Sequence, residues 1–260
     1  MTIAELIDTL ETWNEVPVDK SATCDVVKAG DTQKEARKVA VAMFGTIDLL
    51  KEVIDWGADF LIVHEPLFYD HMDTPEEDDP QVEAKRKLIR DSGLTIYRFH
   101  DYAHSMNPDM IYEGEIRYSG LKGRWNGSIR HACTGFILDE PMTALELAQT
   151  LEKNLDIPHI RVAGCLDRKS DRVACAFGSP GSLTSLFKDY DFVLAGEIWE
   201  WKDAEYARDA ASLGRNKAIL AMGHETSERA GMMYMKTLCE EAFPDTEFRY
   251  FESGHVFGKY

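Results

Sequence analysis

Long apolar runs are missing from this chain of 260 residues: no window approaches the roughly 18 consecutive apolar residues that a membrane-spanning helix needs. Its opening stretch, MTIAELIDTLETWNE, has no basic leader and no unbroken apolar core, so no secretory signal is expected. Basic residues are scarce as well. There are 29 Lys plus Arg against 46 Asp plus Glu, a formal charge of −17, which argues against nucleic-acid and anionic-membrane partners because both reward clustered positive charge. Cysteine is sparse and unpaired in pattern. The five (Cys24, Cys133, Cys165, Cys175 and Cys239) are odd in number, scattered and without a C-x-x-C step, so they read as reduced, mostly buried small residues. Together these absences predict a cytoplasmic protein.

What is present is enough to fold. Hydrophobic residues make up 44% and aromatics 10%, the range of globular chains, and the length suits one large or two modest domains. Thr2 and Glu5 form a capping-box pattern ahead of an amphipathic run to about Trp13. Residues 37–44 (RKVAVAMF) are β-rich, and 46–56 has helical spacing stopped by Gly57. Residues 59–63 (DFLIV) form a short apolar strand, 81–90 a polar helix ending at Gly93, and 94–99 (LTIYRF) another strand. That β-α-β-α-β succession predicts a mostly parallel sheet covered by helices.

The glycine-rich segment 118–127 lacks apolar periodicity and marks a domain boundary, giving lobes 1–122 and 123–260. In the second lobe 131–138 reads as a strand, 143–155 as a helix with a T-x-x-E start, and Arg161 and 172–177 lie in further strands. A GSPGS loop (178–182) precedes a short helix. Strands at 191–195 and 217–222, helices over 203–213 and 226–242, and a last strand near Phe248 complete the series. The fold class is therefore α/β, with two α/β lobes and mostly parallel sheets.

Four of the eight histidines fall just after strand-like runs, in FLIV-His64-Glu65-Pro66, TIYRF-His100-Asp101-Tyr102-Ala103-His104 and AILAMG-His224-Glu225-Thr226-Ser227-Glu228. In open α/β sheets, ligands bind beyond the carboxyl ends of parallel strands, where loops and helix N-termini converge. His224 and Glu228 are four apart and share a face if a helix opens near Gly223, and His100 and His104 have the same spacing. Pro66 ends the strand ladder after His64 and Glu65 and frees both to turn toward the strand end. Imidazole with carboxylate and no thiolate suits Zn, Mn, Fe, Co or Ni. Taken singly, each histidine is as well explained as a hydrogen-bonded residue at a core edge; three clusters together point to one shared metal site. His71, His131, His159 and His255 lack partners at ligand spacing and read as structural, Glu76 to Asp79 as a solvated acidic loop, and Trp199 and Trp201 as packing residues in a lobe or subunit contact.

The succession DFLIVHEPLFY, TIYRFHDYAH, DRVACAFGSPGSL, DFVLAGEIWEWKDA and AILAMGHETSERAGM resembles, in order and spacing, the NIF-three-like dinuclear-metal proteins. This is the YbgI/YqfO group often labelled GTP cyclohydrolase type 2 homologues. Its most specific piece here is G-H-x-x-S-E at Gly223 to Glu228. The resemblance implies two lobes facing a pair of divalent transition-metal ions, and subunits assembled as a toroidal homohexamer, a trimer of dimers. His64, His224 and Glu228 match family ligands. Glu65 stands where the family has a second His, and His104 where it has an Asp, so the inventory of three His and two carboxylates is permuted and not lost. The implied ligands are His64, Glu65, His104, His224 and Glu228, with Asp101 an alternative. Glu197 or His100 is expected to serve as general base, His100 also as a partner orienting a ligand. The implied activity is metal-dependent hydrolysis of a nucleotide-like or phosphate-bearing small molecule; the alternative is a metal carrier or regulatory hexamer without turnover.

Overall fold

A computed structural model describes residues 1–75, 78–127 and 133–257. His131 and the first two residues of the acidic loop at 76–79 lie outside them. In chain order the elements are α1 (Ile3–Leu10), β1 (Val27–Ala29), β2 (Lys38–Ala42), α2 (Ile47–Trp56), β3 (Phe60–Val63), α3 (Pro80–Ser92), β4 (Thr95–Arg98), α4 (Asp101–His104), α5 (Met110–Ser119) and β5 (Gly123–Asn126). There follow β6 (Thr134–Thr143), α6 (Ala144–Asn154), β7 (Arg161–Gly164), β8 (Lys169–Ala176), a 3-10 turn (Thr184–Lys188), β9 (Phe192–Ala195), a π turn (Glu200–Ala204), α7 (Glu205–Ser212), β10 (Ala218–Ala221), α8 (His224–Ala242) and β11 (Glu247–Phe251).

The chain divides into two compact units, residues 1–106 with 232–260, and residues 107–231. The first holds a five-stranded sheet ordered β1-β4-β3-β2-β11, parallel throughout except for the antiparallel edge strand β1. Its central strands FLIV and TIYR are buried at every position, as expected where helices cover both faces. Leu49, Leu50 and Val53 of α2 and Ile89 of α3 pack on Leu61, Val63 and Ile96. The helix ends follow local chemistry: Thr2 and Glu5 make both bonds of the capping box, Thr46 accepts from the Leu49 N–H, and Asp79 caps α3 ahead of Pro80. The last strand differs from expectation. β11 pairs parallel with β2, so the C-terminal segment completes the first sheet, whereas the sequence division at 122/123 assigned it to the second lobe.

The second unit holds a six-stranded sheet ordered β5-β6-β8-β9-β10-β7. Only β8-β9 and β9-β10 are parallel, so this sheet is mixed and not mostly parallel. Parallel pairing requires a crossover of about a dozen residues or more. The runs from β8 to β9 and from β9 to β10 supply one; the chain from Asn126 to Thr134 is too short, and those strands pair antiparallel. Helix α5 occupies 110–119, where sequence periodicity gave no element, because its buried set includes the polar Glu115 and Ser119 and so shows no clean apolar stripe.

Candidate metal centre

In the first unit β3 and β4 run parallel with Val63 opposite Arg98, so the residues after each strand emerge side by side. His64 follows β3, and its Nδ1 lies 3.0 Å from the Phe99 carbonyl oxygen. A carbonyl only accepts, so the proton sits on Nδ1 and the lone pair on Nε2. Complete burial and the neighbouring His100 and His104 hold this imidazole well below the ordinary histidine range, which keeps it neutral.

His100 precedes α4, and Asp25 fixes that turn by accepting the backbone N–H groups of His100, Asp101 and Tyr102, each at 2.9 Å. One helical turn later His104 donates its N–H to the His100 carbonyl at 3.1 Å, which stacks the two side chains on one face. The three imidazoles then converge. Ring centroids are 4.6 Å apart for His64 and His100, 5.1 Å for His64 and His104, and 4.9 Å for His100 and His104. One ligand nitrogen from each lies within 4.8 Å of the others.

Asp101 stands behind this group. One of its oxygens is 2.8 Å from His100 Nδ1, and the other accepts from Thr23 Oγ1 at 2.8 Å and the Cys24 N–H at 3.3 Å. The His100 bond, above all, holds its carboxyl well below the usual carboxylate range, so it is an ionised acceptor that fixes the His100 ring. Cys24, Asp25, His100 and Asp101 are also close enough to hold an ion. Yet Asp25 is occupied by three backbone donors, and burial pushes the Cys24 thiol up to about 12, leaving it protonated near neutrality. That quartet supports the imidazoles.

Glu65 is buried beside His64, with its Oε2 3.4 Å from a guanidinium nitrogen of Arg98. Arg98 is wholly buried and also donates to the carbonyls of His64, at 2.9 Å, and His71. Lys85 donates to the Leu67 carbonyl, and Lys28 pairs with Asp73 at 2.8 Å, so three cations clamp the loop that follows β3. His71, set aside in the sequence, lies edge-on to His100 at 5.8 Å. The sequence did hold a signal for Arg98, an arginine inside the otherwise uncharged run LTIYRF. Asp25 and His71 carried none at ligand spacing.

In the second unit the parallel strands β8, β9 and β10 deliver Gly178, Glu197 and His224 from their carboxyl ends. Helix α8 begins at His224, two residues earlier than its apolar periodicity suggested, and places His224 Nε2 3.2 Å from Glu228 Oε2. On the other side of the ring, His224 Nδ1 is 2.8 Å from Glu197 Oε1, while Glu197 Oε2 accepts from Ser179 Oγ at 3.1 Å. The glycines gain a reason here. A Cβ on Gly178, whose φ is +67°, would sit 2.3 Å from Glu228 Oε1, and one on Gly196 would meet the Gly178 carbonyl oxygen at 2.2 Å. Ser227 Oγ accepts the Gly178 N–H at 3.0 Å and donates to the His224 carbonyl at 2.9 Å, which ties the GSPGS loop to the GHxxSE turn. Trp199 and Trp201 are exposed and stack on each other, with Lys202 over the Trp199 ring.

The expected site residues thus fall into two groups: His64, Glu65, His100 and His104 at the strand ends of the first unit, and Glu197, His224 and Glu228 at those of the second. Imidazoles backed by acceptors, together with buried carboxylates, are a donor set suited to divalent first-row transition metals.

Known proteins share this architecture. A Clostridium perfringens protein named GTP cyclohydrolase 1 type 2 homolog is 22% identical over 250 residues, covering 88% of this chain and 87% of the relative. Among solved structures, protein ybgI, of unknown function, superposes with a TM-score of 0.77 at 20% identity over 98% of this chain and 99% of its own. A Bacillus cereus protein related to NIF3 superposes with a TM-score of 0.75 at 16% identity, over 98% of each chain. The family model described as Duf34/NIF3 (NGG1p interacting factor 3) matches residues 1–254, and the chain belongs to that family.

Proposed function

We propose that this protein is a metal-dependent hydrolase of a nucleotide-like or phosphate-bearing small molecule, with two divalent transition-metal ions held by His64, Glu65, His104, His224 and Glu228. The observation that carries this reading is the convergence of three imidazoles at the ends of β3 and β4, each of His64 and His100 fixed through Nδ1 by an acceptor behind it. The name of the Clostridium perfringens relative supports the substrate class. A divalent ion held by those residues would supply Lewis acidity and a source of nucleophile near neutral pH.

The chain's own part is positional and acid–base. Glu197 is the group that accepts a proton at the second cluster: its side chain is more than half exposed, it carries one bond from Ser179, and it shares a hydrogen bond with His224. His100, the other candidate for that role, has its Nδ1 committed to Asp101. The same reading takes the working form as a homohexameric ring. No helix among the described residues is long and apolar enough to cross a membrane.

The deciding experiment is a screen of nucleotides, phosphoesters and cyclic amides with protein loaded in turn with Zn, Mn, Fe, Co and Ni. Hydrolysis that depends on added metal and is lost in Glu197→Gln is expected. Tight metal exchange with no turnover on any substrate would replace the hydrolase by a metal carrier.

A further inference from the structure

We propose that His64, His100 and His104 form a three-imidazole site inside the first unit, that this site takes the first divalent ion, and that His100 is therefore a ligand. This deepens the metal reading above and rests on it, but it makes a separate claim about which residues bind first.

Geometry is the first support. The three rings lie with centroids 4.6 to 5.1 Å apart, and one nitrogen of each falls within 4.8 Å of the other two. A cation at their centre would be within reach of a nitrogen from each ring. The outer side of the cluster is built for that task. The Phe99 carbonyl takes His64 Nδ1 and the Asp101 carboxylate takes His100 Nδ1, so in both rings the nitrogen offered to an ion is Nε2. Asp101 is itself held by Thr23 and the Cys24 backbone, and the turn carrying both His100 and Asp101 is held by Asp25. A ligand ring with two layers of support behind it is pre-set in orientation.

Charge is the second support. Asp101 sets its carboxylate one hydrogen bond behind His100, an acidic partner that favours a cation at that ring. Glu65 does not have the same freedom. Its carboxylate already faces the wholly buried Arg98 guanidinium at 3.4 Å, so a dication drawn to Glu65 meets a fixed positive charge. Two ions held in this protein are therefore unequal, and the imidazole position fills first. Three imidazole nitrogens with an open fourth position suit Zn²⁺ and Co²⁺.

The test uses the full-length metal-free chain titrated with Zn²⁺ and with Co²⁺. X-ray absorption on the form carrying one equivalent of Zn²⁺ is expected to count three imidazoles, and the visible bands of Co²⁺ should saturate at the first equivalent with a four-coordinate signature. His100→Ala should weaken the first equivalent by about 100-fold or more, and Asp101→Asn by about tenfold. His224→Ala should leave the first equivalent within about threefold of wild type while weakening the second. Circular dichroism of each variant checks its fold, and the count of imidazoles in the wild type needs no variant. One or two imidazoles around the first ion, or loss of the first equivalent in His224→Ala with His100→Ala unaffected, would overturn this assignment and leave the metal reading standing. A wild-type chain that binds neither ion would overturn both.

Discussion

Lys85 offers a sharp test of how the loop after β3 is held. Its ammonium is buried, donates to the Leu67 carbonyl and lies 5.2 Å from the Tyr69 ring, while Asp73, a carboxylate whose charge acts on it, is already paired with Lys28. Burial lowers its pKa from 10.5 to about 8. Between those two values the unfolded chain keeps the proton and the folded chain does not, so stability rises with pH across that window. At about 1.4 kcal/mol per tenfold, the whole rise is about 3 kcal/mol. Lys85→Met removes this titration and also leaves the Leu67 carbonyl without its donor, a loss of about 1–3 kcal/mol. Near pH 7 the variant is relieved of a buried charge and should be as stable as wild type or somewhat more so. Near pH 10.5 it should be less stable, by about 1–3 kcal/mol. Urea unfolding of both metal-free proteins from pH 7 to 10.5 measures the difference, in which every other lysine and tyrosine cancels. A difference that stays flat with pH would refute the account of Lys85 as a charged, desolvated clamp.

Other substitutions probe the supports of the site. Asp25→Ala strips the acceptor from three backbone N–H groups at residues 100–102 and should cost about 2–4 kcal/mol in urea unfolding, with the first Zn²⁺ equivalent weakened as well. Arg98→Met leaves Glu65 buried without its counter-ion and should destabilise the metal-free protein by about 3–5 kcal/mol; Arg98→Lys should recover less than half, since one ammonium cannot reach both carbonyls that the guanidinium spans. Gly178→Ala places a methyl 2.3 Å from Glu228 Oε1 on a left-handed backbone and should lower stability by about 1–3 kcal/mol while abolishing the second metal equivalent, read by titration calorimetry.

The α/β class and the helix ends were legible because their signals are local: Thr2 with Glu5, Thr143 with Glu146, and apolar runs such as FLIV all formed as their spacing predicts. The destination of the last strand was not, since nothing within EFRYF states whether it pairs with β10 or with β2. The same holds inside the site. His64, His100 and His104 could be nominated from their place after strands, because strand ends are where loops converge. Their mutual distances depend on the parallel pairing of β3 with β4, a contact across some 35 residues of sequence. Asp25 was invisible for the corresponding reason: its partners lie about 75 positions downstream, and an aspartate before a short edge strand reads as a turn residue.

The bond set around the GHxxSE turn has a kinetic consequence. Gly178, Gly196, Ser227 and Glu197 fix His224 and Glu228 through backbone and side-chain partners that belong to the chain itself. On the proposed metal reading, an ion arriving there would find its ligands already ordered and would spend none of its binding energy on freezing a loop. Capture should then be limited by shedding of the ion's own water and not by rearrangement of the protein. The converse applies to a chelator, which would take the ions and leave behind a folded chain ready to be reloaded.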